Sequence, residues 1–439
     1  MAAVSGETRS GWEYAYETVI VETPAARATW LIVGRFGLRA GRVMAQTVLV
    51  YRYTSAEEQT FTRDEPTVLS YAVLGCFTFW LYAFGPAVTL LREELGFSYT
   101  LLGVYSVVWS LGAAVAGAAF AQVARRTTRG VLLWSSAAAT IGGAALFTLT
   151  RSVPATLLAA ALFGLAGATL LTVTQAILSD RHGSRRDRAL TEANIGAGAS
   201  AVVAPLVLGA LAATVLGWRA AFALPGVVLV VLYLRYRRAS LPAVPRSHAA
   251  GRRGRLPLAC WLFAVLTAVS SAIEFCLVYF GPQMLLGTGL SAAAAGTALS
   301  ANYLGILVGR LLGARITRRA GRGVPLLYGS LALTGAAFVL FWLAGHPALA
   351  VAGLFLCGAG IANLYPIALS LTLDASDGRE DQANARSQLV LGVVAAASPY
   401  LLGSLADRHG LTVAFALEPV LIGLCVLLLW AGLRHARPA

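Results

Sequence analysis

The sequence predicts an all-α membrane protein, with twelve transmembrane helices arranged as two pseudo-symmetric six-helix bundles. Composition is the first reason: 58% of the 439 residues are hydrophobic and only 12% are charged. A soluble domain carries about 25% charged residues, so lipid is the expected solvent. Length is the second reason. Twelve apolar stretches each reach the roughly 20 residues that carry a helix across a bilayer. Duplication is the third. The stretch from Ser98 to Gly130 aligns without gaps on Ser291 to Gly323, about 193 residues further on. Gly103 falls on Gly296, Gly112 on Gly305, and Arg125, Arg126 and Arg129 on Arg318, Arg319 and Arg322. Ala221 to Leu224 returns as Ala414 to Leu417, and Phe84-Gly85-Pro86 returns as Phe280-Gly281-Pro282 with slight slack. A duplicated helical unit implies a working site between its copies.

Taken in order, the chain opens with residues 1–66, which mix Glu13, Glu17, Arg27 and Arg35 with apolar runs too short to span. This extension reads as a cytoplasmic tail or as a start codon assigned too early, with Met44 or a nearby alternative start codon as the true start. Poor order is expected there. Spans follow at about 67–91, 99–121, 131–150, 155–178, 189–213 and 219–236, making a first bundle over 67–237. Residues 238–255 hold Pro242, Pro245, Gly251 and Gly254 among arginines and read as a cytoplasmic basic linker. A second set at about 256–280, 292–314, 324–344, 347–372, 386–406 and 411–433 fills 256–439, with a short basic tail. Runs such as Gly112 to Gly117 are small enough to let membrane helices approach closely.

Charge sets the orientation. All 34 basic residues are arginine, and 22 of them fall in the loops and tail on one side against four on the other, Arg92, Arg151, Arg219 and Arg408. The positive-inside rule makes the richer side cytoplasmic, with both termini there and anionic inner-leaflet lipid as its partner. The net charge of +14 therefore reflects topology, and no nucleic-acid partner is implied. A chain without lysine cannot carry a Walker-A phosphate loop or a Schiff base. The five cysteines all lie inside spans with no close pairing, and the five histidines are scattered, so no metal, disulfide or cofactor is expected. A membrane enzyme would cluster such residues; the pattern points away from one.

Six plus six spans, a long basic central loop and basic loops after spans two and eight together resemble the major facilitator superfamily, over about residues 67–435. Gly217-Trp218-Arg219 is similar to a junction common in that family. The resemblance implies its twelve-helix fold and secondary transport by a single chain, with the cavity lined by spans one, four, seven and ten. It does not carry over the family's acidic latch after span two. The acid's place is Ala121, and nothing acidic lies between Gly117 and Gly130 or in the second copy. Gly403-Ser404-Leu405-Ala406-Asp407-Arg408-His409-Gly410 fits the same string, but at the outer end of span eleven, where a loop cap is expected.

Ionisable groups inside spans are costly and so are functional candidates. Glu274 lies past the middle of span seven, where desolvation disfavours its charged form; it reads as a proton carrier or as a neutral acid bonded to a neighbour. Arg310 in span eight reads as an anion-binding guanidinium or as a side chain snorkelling to the interface. Glu192 and Asn194 open span five where Arg386 and Gln388 open span eleven, so an inter-half salt bridge could close the inner mouth; helix-end charges in water are the alternative. Arg125, Arg126, Arg318 and Arg319 flank that mouth. Candidate lining residues are Trp80, Tyr82, Thr174, Gln175, Tyr279, Asn302, Asn363 and Tyr365, with Pro366 freeing a backbone carbonyl. The expected function is proton-coupled carriage of a small organic solute across a plasma or inner membrane by alternating access. Export of amphipathic drug-like compounds, uptake of an organic anion, and a sensor that kept the fold but lost transport all remain open.

Overall fold

Lipid offers no hydrogen bonds to a bare backbone, so a chain this apolar is restricted to helices or a closed barrel. The computed structural model describes residues 61–242, 254–318 and 321–436. Most of the N-terminal extension, the linker from 243 to 253 and Arg319 lie outside them. Among the described residues there is no strand, and twelve helices are long and apolar enough to cross a membrane. They are α1 (Glu65–Leu95), α2 (Tyr99–Phe120), α3 (Arg129–Leu149), α4 (Val153–His182), α5 (Arg188–Ala212) and α6 (Arg219–Tyr236). The second set is α7 (Leu258–Leu286), α8 (Ala292–Ile316), α9 (Gly323–Trp342), α10 (Pro347–Asp374), α11 (Gln382–His409) and α12 (Leu411–His435). The expected fold class is the observed one.

Local chemistry fixes the helix ends. Asp64 accepts from the Thr67 amide at 3.2 Å, and Pro66 follows at a position whose amide would have no partner, so α1 starts slightly before the apolar run. The duplicated serines do duplicated work. Ser98 caps α2 through the Leu101 amide at 3.2 Å, and Ser291 caps α8 through the Ala294 amide at 3.3 Å.

The repeat is also visible in packing. A Cβ on Gly112 of α2 would strike the Ala161 carbonyl of α4, and one on Gly305 of α8 would strike the Phe355 carbonyl of α10. Bare glycine lets each pair of helices touch backbone to backbone, which matters because lipid supplies little drive for helix association. Both crossed partners are irregular. α4 contains a π turn at Phe163–Gly167, and α10 breaks after Ile361 and resumes at Leu364, just ahead of Pro366. Each half has an aromatic core. Phe147, Phe163 and Phe222 pack with ring centroids 5.5 to 6.4 Å apart, and Phe415, the repeat partner of Phe222, stacks on Phe338 at 6.1 Å.

Gly305→Leu should force α8 off α10 and lower the melting temperature of the purified protein, with an overpacking cost of about 1–3 kcal/mol. Gly329→Ala, where an added Cβ meets nothing within 4 Å, should leave it unchanged. Equal melting for both variants would contradict the close-approach account.

Candidate functional site

The first six helices meet the last six along α1 with α7 and α8, α2 with α11, and α5 with α8. A cluster of polar and aromatic groups sits on the first of these seams. Tyr82 on α1 meets Tyr303 on α8 edge to face across the seam, with centroids 4.6 Å apart. Tyr303 and Arg310 are seven residues apart on α8, two helical turns, so they share a face. The Arg310 guanidinium lies within electrostatic range of both Glu274 on α7 and Tyr82, and Glu274 in turn acts on Tyr82 and Tyr303. Tyr279 on α7 reaches back to the first half, against the Ser106 hydroxyl of α2 and 6.5 Å from the Phe84 ring.

Glu274 and Tyr82 are half-buried and Arg310 is exposed, whereas Tyr303 is buried with no partner for its hydroxyl. Arg310 forms no ion pair among the described residues. A guanidinium within electrostatic range of a carboxyl and a tyrosine can bind a carboxylate or phosphate bidentately, or exchange partners as the carboxyl gains and loses a proton.

Several expected lining residues pack elsewhere. Trp80 is fully buried and donates from its indole to the Phe222 carbonyl of α6 at 2.9 Å, so it holds the first half together. Thr174 is also fully buried, its hydroxyl donating to Leu170 on its own helix at 2.7 Å. Asn302 and Asn363 are braces between α8 and α10. Asn302 donates to the Leu354 carbonyl at 3.1 Å, and Asn363 donates in the opposite sense to the Gly309 carbonyl at 3.0 Å. An amide inside lipid seeks a partner, and here each side-chain NH2 finds one in a backbone carbonyl of the facing helix. Gln175 is exposed, and Tyr365 is half-buried and accepts from Gln388 of α11 at 3.0 Å.

At the arginine-rich face the expected Glu192–Arg386 bridge is not formed. Glu192 accepts from Arg63 at 2.9 Å and from Arg188 and Tyr71 at 3.2 Å, none of them in the second half. Arg386 is exposed, Gln388 is engaged with Tyr365, and Asn194 donates to Leu190 one turn back on its own helix. Arg125, Arg126 and Arg318 are exposed. Nearby, Arg129 pairs with Asp180 at 2.8 Å, and Arg181 pairs with Asp64. Burial pushes the Asp64 carboxyl up, but hydrogen bonds from Thr67 and Arg181 outweigh it and hold the carboxyl below its usual range.

Two residues escaped the sequence reading. Tyr303 had a signal, a tyrosine inside an apolar span on the same face as Arg310. Glu418 had a stronger one, a carboxyl inside the twelfth span.

The sequence profile of the Major Facilitator Superfamily matches this chain twice, over residues 69–265 and 263–439. The chain belongs to that superfamily. Solved structures agree on the fold. A bacterial homolog of the human lysosomal transporter Spinster, in an inward-facing and unoccupied conformation, superposes with a TM-score of 0.70 at 15% identity, covering 86% of this chain and 100% of that one. The nucleoside transporter NupG gives 0.65 at 15% identity, over 85% and 99%. The peptide transporter POT in complex with sulfate gives 0.69 at 16%, over 85% and 95%. No curated protein matches the chain in sequence.

Within this superfamily member, the string ending at Gly410 turns out to join the two halves. Asp407, near the end of α11, accepts from the Tyr99 amide at 2.8 Å and the Thr100 amide at 2.7 Å, the first turn of α2. A carboxylate on a helix N-terminus meets unpaired amides and the positive end of the helix dipole. It caps, as expected, but what it caps is a helix of the other half. Beside it Arg92 lies over the Tyr99 ring at 3.8 Å and donates to Gln283 of α7 at 3.3 Å. The face opposite the arginines is thus latched.

Asp407→Ala should weaken this latch by about 1 kcal/mol, shifting the open fraction at that face about fivefold. Labelling of a cysteine placed at Ser106 by an impermeant thiol reagent from that side should rise accordingly. An unchanged labelling rate would mean that the contact holds nothing shut.

Proposed function

We propose that this protein is a secondary carrier that moves a small organic solute bearing an anionic group, driven by protons and working by alternating access. The observation that carries the proposal is Arg310, exposed and without an ion pair among the described residues, within electrostatic range of the Glu274 carboxyl by the seam between the halves. An ionised Glu274 competes with a solute anion for the same guanidinium; a protonated Glu274 does not. Proton and solute therefore favour each other's binding, and each shifts the conformational equilibrium only by its difference in affinity for the two states. The latched face and the unbridged opposite face supply the second requirement, a site open to one side at a time.

In this reading the arginine-rich face is cytoplasmic and carries both chain ends, in a plasma or inner membrane. Arg125, Arg126 and Arg318 then meet anionic headgroups. The single chain holds both halves of the site, so a monomer suffices. The Glu192 and Arg386 side chains, now apart, are the pair available to close the cytoplasmic mouth in the other state. A second reading, export of an aromatic amphipath, draws support from Tyr82, Tyr279 and Tyr303, whose rings offer stacking surfaces.

Proteoliposome uptake of carboxylates, sugars and cationic dyes, with and without a pH gradient, separates these readings. Glu274→Gln should abolish acceleration by the gradient while leaving solute exchange intact. Arg310→Ala should raise the half-saturating concentration of an anionic solute about 10- to 100-fold, the loss of one charge-assisted contact. Gradient dependence that survives Glu274→Gln removes the proton role, and dye transport indifferent to Arg310 favours export.

A further inference from the structure

A second carboxyl lies inside the membrane region, away from the seam. Glu418 on α12 is fully buried, and neither of its oxygens has a hydrogen-bond partner beyond the weakly donating Cys276 thiol. Cys276 comes from α7 and is held in turn by Ser398 of α11. Cys357 of α10 and Cys425 of α12 itself lie within its field. α9 also packs on α12 and presents the Phe338 and Phe341 rings around Phe415. No charged side chain among the described residues acts on Glu418.

Three things could stabilise an ionised Glu418 instead. A counter-charge would stabilise the anion, and none lies near it among the described residues. A helix start could do so, since Glu418 lies in the first turn of the segment Leu417–His435, but no backbone amide bonds to it and Pro419 has none to offer. A metal ion could do so, yet the described residues hold no group able to bind one. Sodium or calcium would need several oxygens where this site offers three thiols and a hydroxyl. An uncompensated carboxylate stripped of water is too costly to persist.

We infer that Glu418 is a proton-binding site enclosed in the second half, distinct from Glu274, and that it holds its proton at neutral pH. α7 stands between the two carboxyls: Glu274 borders the shared space, and Cys276, two residues on, meets Glu418 from the other side. The bound proton lets α12 dock on α7; losing it would place a bare charge in that contact. The acid belongs to one copy only, because the repeat puts Pro225 at the matching place in the first half.

Infrared difference spectra of the full chain in lipid nanodiscs test this without reference to transport. At pH 7 an ordinary glutamate is only about 0.2% protonated. The carbonyl-stretch band of a protonated carboxyl should appear in the wild type and in Glu274→Gln, and a band of one carboxyl should vanish in Glu418→Gln. A spectrum in which Glu418→Gln removes only carboxylate bands overturns the inference. Should that variant fail to fold, the wild type answers instead, by reaction with a membrane-permeant carbodiimide, which attacks protonated carboxyls. A peptide map with an adduct on Glu418 supports the site, and a Glu274→Gln spectrum at pH 7 with no protonated-carboxyl band sinks it.

Discussion

Backbone-on-backbone approach between the halves, at the face opposite the arginines, is the contact on which the remaining architecture depends. A Cβ on Gly103 would lie 2.6 Å from the Pro399 carbonyl of α11, and one on Gly403 would strike the Tyr99 carbonyl of α2. On the other seam, a Cβ on Gly209 of α5 would lie 2.7 Å from the Ala293 carbonyl of α8. Lipid tails are as apolar as the helices, so packing and polar caps must supply what the hydrophobic effect gives a soluble interface. Asp407 adds the cap. Its carboxylate bonds the first turn of α2, at the end of that helix opposite the loop after α2, which carries no acid.

Behind that face lies the polar seam on which α1 meets α7 and α8. Tyr82, Tyr279 and Tyr303 form its aromatic wall, and Glu274 and Arg310 supply the charge. In the proposed carrier Glu192 and Arg386 are a gate pair, and they form no bridge in this structure. A salt bridge that formed in both states would bias neither, so a gate pair must be broken in one of them. While apart, Glu192 is occupied by Arg63, Arg188 and Tyr71, which spares it from being an unpaired charge.

The helices and their duplication were legible because the bilayer imposes a length and an apolar composition on every span. Ser98 and Ser291, or Gly112 and Gly305, could be matched as text and then found in matching structural roles. The direction each polar side chain takes was far less legible. A soluble helix marks its buried face by periodicity, but a membrane helix is apolar all round, so Trp80, Thr174, Asn302 and Asn363 gave no sign that neighbouring helices would claim them. The sequence marks Asp407 as a cap, but its partner, a helix some 300 residues away in the chain, lies beyond any local pattern. Glu418 was visible as an ionisable residue within a span, by the same criterion that singled out Glu274.

Rigid-body rocking of two halves about a closed face makes a specific demand on distances, and paired spin labels measure it. One pair would sit at Asn194 and Arg386 on the arginine-rich face, the other at Leu149 and Leu343 on the opposite face, with the five native cysteines replaced. Pulsed electron resonance across a pH range, in wild type and in Asp407→Ala, should show two populations whose distances change in opposite senses, one pair closing as the other opens. A single unvarying distance at both faces, or two pairs that widen together, would contradict the account.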